Sequence, residues 1–115
     1  MKQGEIWLIN LDPTVGAEIK KTRPAVIMSD NALGKLPLKI IVPITDWKDR
    51  YAIAPWMTKL KPAAQNGLSK VSAADGFQIR SVSENRFVKK LGRLHQGEMD
   101  AIKSGLVKVL SIDNE

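Results

Sequence analysis

A chain of 115 residues is long enough for one domain with its own hydrophobic core and too short for two. Its apolar fraction of 43% and charged fraction of 26% are typical of a globular protein. The absence of cysteine excludes disulfides and thiolate zinc sites, and a single histidine argues against a histidine-rich metal site within one chain. No apolar run has the length of a membrane span and no signal-peptide core follows Met1, so we expect a cytoplasmic protein. Because the usual metal ligands are scarce, we also expect no metal or cofactor.

The positive charge is concentrated in one third of the chain. The formal net charge is +6, and residues 58–95 alone hold eight basic and two acidic side chains, a surplus of six. The flanking residues 1–57 and 96–115 contribute +2 and −2. Such a basic block is typical of proteins that bind nucleic acid, an acidic protein tail or another anionic surface.

The first half of the chain has the pattern of β-strands, which we predict at residues 6–11, 24–28, 38–44 and 51–57. The first run is almost continuously apolar, as in a strand that is buried on both faces. Pro24 can only begin the second strand or lie on an edge, and Pro55 places the fourth at an edge, because proline cannot donate to a strand ladder. Between the second and third strands, Asp30 and Gly34 predict the start and end of a short helical turn.

The second half is predicted to continue with a connector at residues 59–67 and then strands at 68–73, 77–82 and 86–94. Asp75 and Gly76 mark a bend between two of these strands. The apolar period then changes to that of a helix, carried by Met99, Ile102, Leu106, Val109 and Leu110. Gly105 costs this helix about 1 kcal/mol relative to alanine unless close packing requires it. The pattern predicts a single domain over residues 1–115, a small bent β-barrel or sandwich closed by one C-terminal helix.

Eleven mostly polar residues, 12–22, separate the first two strands. This is longer than the usual hairpin loop of about two to five residues, and long loops are often functional. The loop carries Glu18, Lys20 and Lys21 and brings Arg23 to the start of the second strand. These side chains suit the binding and cleavage of a phosphodiester, and they are equally typical of a solvated turn.

Short motifs occur in a fixed order along the chain: Gly4-Glu5-Ile6-Trp7, Asp12-Pro13-Thr14, Gly16-Ala17-Glu18, Arg23-Pro24-Ala25-Val26, Val42-Pro43-Ile44-Thr45, Gly67-Leu68, Gln78-Ile79-Arg80 and Leu91-Gly92-Arg93-Leu94. Each motif alone is weak, but the ordered set resembles the MazF/PemK toxins of bacterial toxin–antitoxin pairs. The resemblance covers nearly the whole chain. It implies a homodimeric, SH3-like β-barrel of the kind shared by MazF, PemK and CcdB, with a C-terminal helix. It further implies cleavage of single-stranded RNA at short sequences without a metal, and a cognate antitoxin whose disordered acidic tail covers the RNA-binding groove.

The resemblance also assigns site residues. Arg23 and Thr45 match the main catalytic pair of the family, and Glu18 matches an acid that some members use. One position departs from the family pattern, because Phe77 stands where many members have an acid immediately before the Gln-x-Arg motif. Glu18 and Asp75 are therefore the candidates for the general base.

The chemistry of metal-free RNA cleavage fits these residues. The 2′-hydroxyl of RNA is the nucleophile, so the protein must help to remove its proton, stabilise the phosphoryl oxygens and protonate the leaving 5′-oxygen. Arg23 suits a permanently charged clamp on the phosphate, and Thr45 offers a hydroxyl donor. We expect RNA binding by Lys20, Lys21, Trp56, Gln78, Arg80 and Arg86. Trp47 and Trp56 both lie near loops where they can stack on bases, although core packing is the favoured interpretation for Trp56.

Two other functions fit parts of the sequence. Gyrase-directed growth inhibitors resemble this family in fold but lack the Arg–Pro and Pro-Ile-Thr elements. A binding module for RNA or antitoxin that has lost catalysis is compatible with Phe77 at the usual acid position. The joint presence of Arg23 and Thr45 favours the nuclease.

Overall fold

The computed structural model describes residues 1–33 and 35–112 of the chain. Within these residues the elements are β1 (Glu5–Asn10), β2 (Thr22–Ile27), β3 (Leu38–Asp46), β4 (Met57–Leu60), β5 (Ser72–Asp75), β6 (Arg80–Ser83), β7 (Phe87–Arg93) and α1 (Gln96–Val109). The predicted mainly-β fold with one C-terminal helix is confirmed. None of the helices in these residues has the length and apolar character needed to cross a membrane.

The long strand β3 organises the sheet, in which every pair is antiparallel and the order is β4-β5-β3-β2-β1-β7. The first half of β3 pairs with β6, its second half pairs with β5, and β2 lies along its other edge. A strand that changes partners in this way turns the sheet from one layer into another, as in a small barrel. β3 thus joins the two parts of the sheet, β4 and β5 on one side and β2, β1 and β7 on the other.

Two apolar clusters form the core, one on each face of β3. Alternation along β3 sends Val42 and Ile44 to a cluster that α1 covers with Met99, Ile102 and Leu106. It sends Ile41 to a second cluster built by β1, β2, β3 and β6. Ile19 of the long loop 12–22 packs against this second cluster, so the loop is fastened to the body of the protein by an apolar side chain.

The predicted fourth strand at residues 51–57 is wrong. Asp49–Ile53 forms a 3₁₀ helix instead, and β4 begins only at Met57, the last residue of the predicted strand, and runs into the predicted connector as far as Leu60. Ala54 N–H donates to Tyr51 O (3.0 Å), so a turn hydrogen bond takes the donor that a strand would need. Ile53 is 91% exposed, which means that the apolar alternation of this segment does not reflect burial.

The predicted strands at 68–73 and 77–82 are also shifted. Asn66 is buried, and its Oδ1 accepts from the backbone N–H groups of Ala63 and Leu68 (3.1 and 2.9 Å), which holds the preceding segment in a turn. Asp75 caps a 3₁₀ helix at Gly76–Gln78, so β6 begins only at Arg80. Side-chain hydrogen bonds to the local backbone compete with strand pairing at both places.

The polar turn after β2 follows the sequence prediction. Asp30 Oδ1 accepts from Ala32 N–H (2.8 Å) ahead of a 3₁₀ helix at Asn31–Leu33, whereas the predicted stop at Gly34 lies outside the described residues. His95 and Glu98 form a capping box at the N-terminus of α1.

Close packing explains why α1 has a glycine at position 105. A Cβ atom at this position would lie 2.9 Å from Pro55 O and 3.3 Å from Trp56 Cα. The glycine therefore lets α1 approach the segment that leads into β4.

Candidate active site

The two predicted catalytic residues lie on neighbouring strands and line the same depression. The β2–β3 pairing ends at Ala25 and Pro43, and Arg23 and Thr45 each lie two residues beyond this last pair. Because positions i and i+2 of a strand share a face, Arg23, Thr45 and Pro43 lie on one face of the sheet. Both Arg23 and Thr45 are partly buried. The fold therefore brings together an arginine and a hydroxyl that are far apart in the sequence.

A depression of about 450 Å³ lies beside Pro43 on this face. We call it the loop groove, and it is lined by Ala17, Glu18, Ile19, Pro43, Phe77, Gln78, Ile79 and Arg80. Since a strand rises about 3.3 Å per residue, Thr45 lies about 7 Å beyond Pro43 along β3. The predicted residues Glu18, Gln78 and Arg80 thus line a groove that reaches β3 at Pro43, two residues before Thr45.

A second depression of about 450 Å³, the strand-end cleft, borders Arg23 and Thr45 at the ends of β2 and β3. Lys21, Asp46 and Lys70 also line it, and Lys70 Nζ lies 3.1 Å from Asp46 Oδ2. The sequence prediction missed this ion pair. Only the tertiary structure brings the segment before β5 beside the end of β3, and no local motif signals that contact.

Gln78 holds the backbone of the long loop. Its Oε1 accepts from Ile19 N–H (2.6 Å), and its Nε2 donates to Ala17 O (3.2 Å). This pair of bonds fastens the loop to the 3₁₀ helix before β6. The predicted RNA-binding side chain is thus engaged with the loop in this conformation.

The two arginines expected to bind RNA are engaged in the same way. Arg80 donates to Leu11 O (3.2 Å), and Arg86 donates to Asn10 O (3.1 Å) and to Asp12 O. These carbonyls belong to the end of β1 and the start of the loop. Arg80 and Arg86 therefore fix the base of the loop, and their contact with RNA remains a prediction.

The carboxylates of both candidates for the general base already accept a hydrogen bond. Glu18 Oε1 accepts from Val15 N–H (2.6 Å) within the loop. Asp75 is buried, and its Oδ1 accepts from Phe77 N–H (3.0 Å) as the cap of the 3₁₀ helix. Burial raises the pKa of Asp75, against backbone hydrogen bonds from Phe77 and Gln78 that lower it. Glu18 lines the loop groove, so it stays the better placed of the two.

The remaining predicted residues occupy different surroundings. Lys20 and Lys21 are exposed, and Lys20 O accepts from Arg23 Nε (3.2 Å), which orients the guanidinium. Trp56 packs edge-to-face on Phe77, with ring centroids 5.4 Å apart. Phe77 itself is 64% exposed at the rim of the loop groove. Packing, the favoured interpretation for Trp56, thus accounts for one side of its ring.

Comparison with known proteins identifies the family. Residues 2–110 match the model of the PemK-like, MazF-like toxins of type II toxin–antitoxin systems. The chain belongs to this family. The match agrees with the resemblance that the ordered motifs indicate, and it covers nearly all of the described residues.

Individual relatives and solved structures support the family and the fold. The chain is 30% identical over 112 residues to the endoribonuclease MazF9 of Mycobacterium tuberculosis, covering 92% of each chain. It is similar in structure to MazF from Deinococcus radiodurans, with a TM-score of 0.79, 23% identity and 97% of each chain covered. An endoribonuclease from a mycobacterial species, solved in complex with its cognate antitoxin, gives a TM-score of 0.77 at 16% identity, covering 100% of this chain and 99% of the other. The predicted MazF/PemK-like barrel is confirmed.

Proposed function

We propose that this chain is an endoribonuclease toxin that cleaves single-stranded RNA by using the 2′-hydroxyl of the substrate as nucleophile, without a metal. Its family consists of toxins of toxin–antitoxin systems, and full-length relatives are endoribonucleases. The enzyme class predicted from the sequence is thus confirmed at the level of the family. We place the activity in the cytoplasm, where messenger RNA is accessible.

The juxtaposition of Arg23 and Thr45 carries the proposal. The pair lines the strand-end cleft, and the loop groove reaches β3 at Pro43, two residues before Thr45, so an RNA strand that passes from one depression to the other crosses both side chains. The scissile phosphate then lies over the pair. Arg23 binds two non-bridging oxygens, and Thr45 Oγ1 donates a hydrogen bond to the same phosphoryl group.

Cleavage then needs one proton removed and one supplied. The 2′-oxygen attacks phosphorus and its proton passes to a carboxylate. The bond from phosphorus to the 5′-oxygen breaks, and the leaving 5′-oxygen takes a proton from a solvent water, which gives the 5′-hydroxyl end. Glu18 is the first candidate for the proton acceptor, after its carboxylate leaves Val15 N–H. Arg23 neutralises charge on the pentacoordinate phosphorus, and preorganised donors of this kind are typically worth about 3 kcal/mol.

We propose that the regulator is a cognate antitoxin and that the active toxin is a homodimer. An extended acidic tail needs basic groups and apolar anchors, because it loses conformational freedom on binding. The loop groove offers Arg80 beside the exposed ring of Phe77, with Trp56 behind it. Antitoxin and RNA would then compete for the loop groove.

A cleavage assay in EDTA tests the proposed reaction. RNA of mixed sequence is incubated with the toxin, and the ends are mapped by primer extension and chemical analysis. We expect 2′,3′-cyclic phosphate or 3′-phosphate ends together with 5′-hydroxyl ends, and we expect DNA of the same sequence to stay intact. Loss of cleavage in EDTA, or 5′-phosphate ends, would contradict the mechanism. Absence of any cleavage together with growth arrest would favour a non-catalytic inhibitor.

A further inference from the structure

Trp47 continues the catalytic face of β3. Its backbone N–H donates to Val71 O (3.1 Å), so the β3–β5 register runs on beyond the paired residues Asp46 and Ser72. Position 47 therefore shares a face with Thr45 and lies about 7 Å further along the chain, on the side away from Pro43. The loop groove, the Arg23–Thr45 pair and Trp47 follow one another along β3.

Trp47 is the centre of an aromatic and cationic cluster. Tyr51 of the following 3₁₀ helix meets its ring nearly at right angles, with centroids 5.8 Å apart and an interplanar angle of 83°. Lys59 Nζ lies 5.1 Å from the Trp47 ring centroid, and the Arg50 guanidinium lies 5.3 Å from that of Tyr51. Trp47 is only partly buried and belongs to neither core cluster. Packing in the core therefore does not explain the cluster.

Strand register brings Lys59 to the same face as the catalytic pair. Ala73 of β5 pairs with Thr45 on one side and with Lys59 on the other. Residues directly opposite in antiparallel strands share a face, so Thr45, Ala73 and Lys59 form one row. Two strand spacings separate Thr45 from Lys59, a distance of about 10 Å between backbones.

The two cations of the cluster have no carboxylate partner among the described residues, since the ion pairs found there involve other groups. Lys39, Lys70 and Lys90 are the lysines held by acids. Lys59 is therefore available to a phosphate, while Arg80 and Arg86 are engaged with the loop. Aromatic rings beside an available cation are the common means of holding a base and its phosphate in single-stranded RNA.

We propose that Trp47, Tyr51 and Lys59 form a nucleobase platform that binds one base of single-stranded RNA on the side of the cut that faces away from the loop groove. The platform rests on the proposed function, because its position is defined relative to the scissile phosphate at Arg23 and Thr45. The base stacks on the aromatic surface, and Lys59 binds the adjacent phosphate. The platform holds RNA that extends past the catalytic pair.

Tryptophan fluorescence tests the platform without any need for catalysis. A short single-stranded RNA of mixed sequence with every 2′-hydroxyl methylated is titrated into the wild-type protein, Trp47→Phe and Trp7→Phe, in which the replaced tryptophan packs against the second core cluster. We expect quenching in the wild type and in Trp7→Phe, and loss of most of the quenching in Trp47→Phe. Equal quenching in Trp47→Phe would overturn the proposal. Quenching of Trp47 by an acidic peptide but not by this RNA would also overturn it, because the surface would then serve a protein partner.

Kinetics on RNA of two lengths tests the role in the reaction. Substrates are extended on the 5′ side or on the 3′ side of the mapped cut. We expect Trp47→Ala and Lys59→Ala to raise KM by about fivefold or more for one of the two extensions, with kcat within about twofold. RNA without that extension should be cleaved equally by all variants. Lys108→Ala, which removes an exposed lysine of α1, is the charge control and should behave as the wild type.

Failure of the platform and failure of the proposed reaction are distinguishable. Cleavage without quenching, and with unchanged KM in both variants, removes the platform and leaves the nuclease. Quenching that depends on Trp47 in a protein that cuts no RNA leaves the platform and removes the reaction. Melting temperatures of all variants are compared first, and Trp47→Phe and Lys59→Ala carry the test if Trp47→Ala unfolds.

Discussion

Arg23 and Thr45 lie on the neighbouring strands β2 and β3, each two residues beyond the paired Ala25 and Pro43, and both line the strand-end cleft. They are 22 positions apart in the chain, yet each shares the face of its paired neighbour, because positions i and i+2 of a strand lie on one face. The loop groove lies on one side of them, and both residues border the strand-end cleft. The predictions for catalysis start from this pair.

Replacing Arg23 by alanine should abolish most of the activity without unfolding the protein. Loss of the phosphate clamp removes about 3 kcal/mol of transition-state stabilisation, which is a loss of about a hundredfold or more in kcat. Single-turnover cleavage at saturating RNA measures it. Arg93→Ala, which removes an exposed arginine of β7, is the matched control and should keep its activity. Near-normal kcat in Arg23→Ala would remove Arg23 from the site.

Thr45→Ala should be less impaired than Arg23→Ala, because it removes one neutral donor rather than a charged clamp. We expect a loss of about tenfold, corresponding to about 1.4 kcal/mol for one hydrogen bond. Thr45→Ser keeps the hydroxyl and should recover most of the rate. An equal loss in the serine variant would mean that the methyl group, and not the donor, matters at this position.

Gln78→Ala should release the long loop. The substitution removes the hydrogen bonds to Ile19 N–H and Ala17 O, while Ile19 keeps its apolar contact with the second core cluster. We expect faster amide hydrogen exchange at residues 15–20, by about tenfold or more, with global stability changed little. Asn85→Ala, at an exposed position before β7, is the control. Unchanged exchange would show that Ile19 alone holds the loop.

Glu5 should make stability depend on pH in the acid range. Burial alone raises the pKa of Glu5, but hydrogen bonds from Trp7, Lys2 and Lys90 and the nearby N-terminal charge outweigh it and lower the pKa from 4.5 to about 2. Trp7 Nε1 lies 3.0 Å and Lys90 Nζ 3.1 Å from the carboxylate. The folded pKa lies below the unfolded one, so the contribution to stability is complete above pH 4.5 and is lost as pH falls toward 2.

Urea unfolding of the wild type and of Glu5→Gln between pH 2 and pH 7 measures this contribution. We expect the variant to lose up to about 3 kcal/mol near neutral pH and to have a flatter pH profile below pH 4.5. Asp49→Asn, which neutralises an exposed acid, should leave the profile nearly unchanged. Parallel profiles for the wild type and Glu5→Gln would show that Glu5 titrates alike in both states.

Gly105→Ala should destabilise the protein even though alanine is the better helix former. Helix propensity favours the substitution by about 1 kcal/mol. The new Cβ would lie 2.9 Å from Pro55 O, a backbone atom that can move only with the whole segment before β4. We expect a lower melting temperature, whereas Ser104→Ala on the exposed side of α1 should raise it slightly or leave it unchanged. A higher melting temperature in Gly105→Ala would show that the segment yields easily.

The sequence determined those parts of the fold whose signals are local. Alternating apolar residues placed most strands within a few residues, and the period of Met99, Ile102 and Leu106 placed α1 correctly. It misplaced the fourth strand, because the alternation around Ile53 has no burial behind it. Burial is a property of the assembled sheet. An alternating apolar pattern therefore also occurs in segments that no other part of the protein covers.

The motifs also indicated the candidate site residues, whereas the tertiary structure decided which groups surround each of them. Pairing of β2 with β3 brought Arg23 and Thr45 to one cleft, and the register through Ala73 placed Lys59 on the face of Thr45. Packing turned Gln78 and Arg80 toward the loop backbone, a use that their motif does not reveal. Strand register and side-chain partners depend on contacts between distant segments, so they exist only once the chain has closed on itself.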